Sequence, residues 1–209
     1  GFIDLAFDLG SIGAPQQLNN STPQVLCNKQ DSDSLAGYVD ASMSQDASHD
    51  VLVLGRSLER VDMTARLLAA RIAAGRVGAG WTATLQACSA HDAYLRTYRQ
   101  GVEAPQVLEF LLVDRFFPRS VFHALSIGER ALIRLDPESG RAGPGESARR
   151  TIGRARTDLE FLPATNLLDN LPDRLHRLQR TVSTVTEQVT KRLFAGSAPL
   201  QWNLEETAG

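Results

Sequence analysis

The sequence predicts an all-α fold, an up-and-down bundle of about six helices behind a loosely ordered N-terminal segment, and three observations carry that reading. Apolar residues recur three and four apart from about Leu35 onward. Pro and Gly cluster in the tracts that separate those stretches, around 75–80 and 136–145. No stretch shows the apolar–polar alternation of a half-buried strand.

Residues 1–33 stand apart. Gly10, Gly13, Pro15, the polar run from Gln16 to Thr22, Pro23 and Asp31-Ser32-Asp33 make a turn-rich tract, and only Phe2 to Leu9 is apolar enough to dock. A helical domain over 34–196 and a flexible tail over 197–209, in which Trp202 could dock, complete the expected organisation. Within the domain, Leu35, Tyr38, Val39 and Met43 begin a short amphipathic segment. A long first helix over 50–74 carries Val51, Leu54, Leu58, Val61, Ala65, Leu68 and Ile72 and ends at Gly75, Gly78 and Gly80.

One second helix is expected from Trp81 through Tyr98, and a third after Pro105, a good first helical residue. A fourth begins at Pro118, a loop spans 136–145, and a fifth covers about 146–162. The last helix is the most regular, with Leu171, Leu175, Leu178, Val182, Val185, Val189 and Leu193 in a near-heptad stripe.

Composition narrows the function classes. A formal net charge of −2 provides no basic field for nucleic acid or an anionic membrane. No apolar run reaches the roughly 20 residues that cross a bilayer. Cys27 and Cys88 have neither metal nor redox spacing, which suits free thiols in a reducing cytoplasm. His49, His91, His123 and His176 are scattered, so no metal site is expected. The chain has no Walker loop, no dinucleotide glycine fingerprint and no nucleophile elbow, so no cofactor is expected either.

Three polar clusters remain. In the first helix Arg56, Glu59 and Arg66 share one stripe beside the apolar face, next to Arg60, and Asp62 and Arg66 form an i, i+4 pair. Such a set is a solvated face, a structural clamp or an anion site, and the residue types leave all three open. The second cluster, Asp114 to Ser120, puts Arg119, Ser120 and free backbone N–H groups at a helix start. It reads as an anion site or as a plain cap in which Asp114 pairs Arg115 or Arg119. The third places His91, Tyr94 and Tyr98 on one helical face, as core tyrosines or as ligand contacts.

These clusters resemble the alpha-E domain family of bacteria, all-helical proteins of unsettled role. The matching blocks are LGRSLERVDMTARLL (54–68), AHDAYLRTYR (90–99) and VLEFLLVDRFFPRSVFHAL (107–125). The resemblance starts near LAGYVDASMSQD (35–46), runs through GRARTDLEFL (153–162) to Phe194, and leaves 1–33 outside it. Family members look like two related halves, and this chain resembles the C-terminal one. Carry-over to function then rests on Arg56, Glu59, Arg60, Arg66, Arg119 and Ser120.

The resemblance also implies company, namely circularly permuted ATP-grasp proteins and transglutaminase-like proteins, and so a system that makes and breaks amide or peptide bonds. The favoured expectation is a helical binding or scaffold module of that system. One alternative is an enzyme with Glu59 as general base and the flanking arginines holding an anionic substrate. Another is a truncated remnant. With the first half missing, the apolar side of the 50–74 helix is expected to be partly uncovered and to form a homodimer.

Overall fold

The computed structural model describes residues 42–75, 80–99, 101–135 and 144–193, together with Gly37. Residues 1–33, the 136–143 loop and the tail after 193, for which the sequence sets expectations, lie outside the described residues. Seven α-helices and one 3-10 turn are described, with no strand among those residues.

The first helix, α1 (Ala47–Ala73), starts where Asp46 in extended backbone accepts from the N–H groups of Ser48 at 2.9 Å and His49 at 3.2 Å. It stops at Gly75, whose φ of +55° a Cβ would penalise, and the Arg71 guanidinium donates to the Gly75 carbonyl. Three short helices follow: α2 (Trp81–Ala87), α3 (His91–Tyr98) and α4 (Ala104–Leu112). Then come α5 (Val121–Leu135), α6 (Pro144–Glu160), the 3-10 turn Ala164–Asn166 and α7 (Leu171–Leu193).

The four long helices close into a ring in which α1 packs on α5 and α7, and α6 also packs on α5 and α7. Neighbours run antiparallel. Asp50, in the first turn of α1, meets Arg134, in the last turn of α5, at 2.6 Å. Arg115, ahead of α5, meets Glu160, the end of α6, at 3.3 Å. Inside the ring Leu54, Leu58, Val61, Ala65 and Leu68 of α1 face Val121, Leu125 and Leu132 of α5, with Ile152, Leu159, Leu175 and Val185 completing the core. Burying each large aliphatic side chain contributes about 1.5–3 kcal/mol. Gly128 lets α5 come close to its neighbours, since a Cβ there would stand 2.8 Å from Ile152 Cδ1 and 3.5 Å from Leu54 Cδ1.

Two expectations need correction. The single second helix is two, because Ser89 adopts φ 49° and the chain turns there. Ala90 N–H bonds back to the Leu85 carbonyl at 2.8 Å and Ser89 N–H to that of Gln86 at 2.9 Å. That is the paired closure usually built on Gly, so the apolar period carried no warning of it. The apolar side of α1 is also covered within one chain. Its stripe from Leu54 to Leu68 is buried by α5 and α7, and only Met63, at 61% exposure, leaves a large apolar side chain of α1 in solvent. The stripe of α7 is likewise internal, with Leu171, Leu175, Leu178, Val185 and Val189 buried against α1 and α6.

The short helices join the common core through Leu85, Val107, Leu108 and Leu111, and aromatic contacts add to these. Tyr94 is fully buried, stacks on Tyr98 at 4.9 Å and meets the edge of Phe110 at 5.7 Å. Phe110 in turn stacks on Phe117 at 4.4 Å, which links α4 to the turn leading into α5.

Candidate functional site

Two of the three polar clusters meet at the corner where α1 passes the turn before α5. Arg60 donates Nη1–H to the Pro118 carbonyl at 3.4 Å, which sets the Glu59-Arg60 pair beside the 114–120 turn. Arg56 is half-buried on the same helix, while Glu59 and Arg66 are exposed. Arg66 bonds Asp62 at 2.6 Å, the expected i, i+4 pair. The hydrogen bond to that carboxylate, then its charge, raises the Arg66 guanidinium above its ordinary range. Glu59 stands in solvent on the open side of α1 rather than in a cleft.

Inside the turn the side chains serve the backbone. The Asp114 carboxylate accepts from Phe116 N–H at 2.8 Å and Phe117 N–H at 2.7 Å, while Arg115, one of the two arginines expected to pair with it, meets Glu160. Ser120 is fully buried, accepts from His123 N–H at 3.1 Å and donates to the Asp114 carbonyl, so it caps α5. Arg119 is half-buried beside it. Tyr94 places its hydroxyl 3.1 Å from Gln106 Oε1 and 3.2 Å from the Gly101 carbonyl, and so acts as a core residue. Tyr98 is half-buried, and burial, then the charges of Glu109 and Asp114, push its hydroxyl up to about 12. Through Phe110, Tyr98 lies on the inner side of the 114–120 turn, near enough for Asp114 to act on it.

The sequence reading missed the neighbouring groove. Arg115, His123, Ser126, Glu129, Arg130 and Arg156 line a shallow, open depression of about 370 Å³ on the outer side of α5 and α6. Arg156 is its hinge, bonding Glu129 at 2.7 Å and Glu160 at 2.6 Å. Burial pulls the Arg156 guanidinium down, but the two carboxylates outweigh it and leave it raised. Gly153 makes room for Glu129, since a Cβ there would sit 3.0 Å from Glu129 Oε1. Arg115 and Arg156 both lie over the Phe122 ring, at 5.3 and 6.0 Å from its centroid. The i, i+4 spacing of Arg156 and Glu160 is the one signal of this groove in the sequence. Arg115, His123 and Phe122 meet within one short stretch, and Glu129 and Arg156 join the consecutive helices α5 and α6.

A family model matches residues 17–194, and its family, Alpha-E, is described as a predicted alpha-helical domain with a conserved ER motif. The chain belongs to the Alpha-E family. The match begins ahead of Leu35 and takes in half of the segment set apart in the sequence. No curated protein and no solved structure matches the chain.

This Alpha-E chain carries two Glu-Arg dipeptides in its helices, 59–60 and 129–130, and they are held in opposite ways. At 59–60 the arginine is tied to the Pro118 carbonyl and the carboxylate is exposed. At 129–130 the carboxylate is tied to Arg156 and the arginine is exposed at the groove. Among the described residues no group of His, Cys, Asp or Glu could hold a metal ion. No described helix is long and apolar enough to cross a membrane.

Proposed function

We propose that this Alpha-E chain is a helical binding module of a system that forms amide or peptide bonds, in the service of an ATP-grasp ligase. The observation that carries the binding half of the reading is the disposition of the charged groups. Arg60, Arg66, Asp62, Asp114, Glu129 and Arg156 each hold a neighbouring group of the fold, and Glu59 stands in solvent. Such side chains shape a surface, whereas acid–base catalysis asks for a carboxyl shifted by burial and placed in a cleft. The ligase half rests on the family resemblance. A transglutaminase-like protein is a further partner under the same reading.

Sedimentation of the chain with the ATP-grasp protein of its own genome, at micromolar concentration, tests it. Co-sedimentation is expected, and separate boundaries would end the reading. Should the chain prove to turn over a substrate, Glu59→Gln is expected to leave that rate unchanged.

A further inference from the structure

The 115–119 turn and the end of α6 present two phenylalanines to solvent, Phe116 at 91% and Phe161 at 76% exposure. The Arg115–Glu160 ion pair, at 3.3 Å, brings the chain neighbours of both to one end of the bundle. Scattered apolar residues on a surface need no explanation, but two rings beside one ion pair make a patch. The arginine groove adjoins them through Arg115, which belongs to both.

Around the groove the guanidinium groups of Arg115 and Arg130 reach further into solvent than the carboxylates of Glu129 and Glu160. Glu129 and Glu160 have side chains only 22% and 23% exposed, and both are engaged by Arg156. The Arg115 side chain is 58% exposed, and Arg130 is exposed at the groove with no ion pair among the described residues. The carboxylates are thus spent inward while the guanidinium groups face out. Phe and Arg together are the residue types that protein interfaces concentrate. Fork-shaped guanidinium donors select carboxylates.

We propose that this corner is a docking surface for a protein partner, which it engages through an acidic segment carrying apolar side chains. Phe116 and Phe161 take the apolar side chains, while Arg115 and Arg130 meet the carboxylates. The inference deepens the binding-module reading and relies on it only for the partner being a protein.

A short fluorescein-labelled peptide of Leu and Phe among Asp and Glu is the probe, with a control in which Lys replaces each acidic residue. Fluorescence anisotropy on the full chain is expected to show binding of the acidic peptide alone, weakened by added salt. The Phe116→Ser/Phe161→Ser protein and, separately, the Arg130→Glu protein are each expected to bind about tenfold more weakly. All three side chains are exposed, so circular dichroism of each variant should match the parent. Equal binding by the parent and the variants, binding of the Lys peptide as well, or no binding of either peptide would overturn the proposal. The probe contains no ATP-grasp protein, so its result stands whichever way the sedimentation experiment falls.

Discussion

The four-helix ring and the three short helices inserted between α1 and α5 are held by different physics. In the ring, continuous apolar stripes on α1, α5, α6 and α7 interlock, so each buried side chain is supported from several helices. In the insertion, α2, α3 and α4 are only about two turns each; Leu85, Val107, Leu108 and Leu111 join the same core, and aromatic contacts, a buried tyrosine hydroxyl and a Ser-based turn add to them. Helices that short have little stability of their own. The contrast places global stability in the ring and makes the insertion the part that opens first.

The sharpest way to break that comparison is in the ring. Leu68→Ala removes a fully buried side chain from α1, and the expected loss is about 2–5 kcal/mol in denaturant unfolding. A loss under about 1 kcal/mol would mean that the ring is not the cooperative unit.

The matching change in the insertion is Tyr94→Phe, which deprives Gln106 Oε1 and the Gly101 carbonyl of the buried hydroxyl. About 1–3 kcal/mol is expected. It should appear mainly as faster hydrogen exchange across α3 and α4, with α7 unaffected. Equal acceleration in α7 would dissolve the distinction between the regions.

Ser120→Ala, at the seam where the insertion returns to the ring, removes the cap of α5 and is expected to cost about 1 kcal/mol in melting experiments. Arg66→Ala breaks an ion pair on an exposed side chain and should change stability by less than about 0.5 kcal/mol.

A pH scan probes the insertion from another side. The Tyr98 hydroxyl is raised to about 12 in the folded chain, against an unfolded value of about 10. A raised acid means that the folded state holds the proton more tightly. The contribution is therefore present below about pH 10 and is lost as pH climbs through 12. Tyr98→Phe should flatten that part of the stability profile, and an unchanged profile would remove Tyr98 as its cause.

Helical periods and their punctuation were legible because they are local. The stripe from Leu54 to Leu68, the heptad run of α7 and the glycine after α1 each follow from spacing along one helix. The break at Ser89 was not legible, because Ser is a rare choice for a left-handed closure and the apolar spacing continues across it. At the candidate site, Arg60 and the 114–120 turn were singled out from residue type, and their contact is real. Ser120 serves the cap of α5 and Tyr94 the core, in each case one of the two readings the sequence left open.

What the sequence by itself determined is the all-α class, the positions of the long helices and their apolar faces, since backbone hydrogen bonding and side-chain period act within a few residues. Only the tertiary structure decided which faces meet and which charges are spent inward. Glu129 and Arg156 lie on separate helices, and so do Asp50 and Arg134, yet each pair closes at bonding distance. Coulomb and hydrogen-bond terms act through space, so residues far apart in sequence become partners only once packing of the apolar stripes has set the helices side by side.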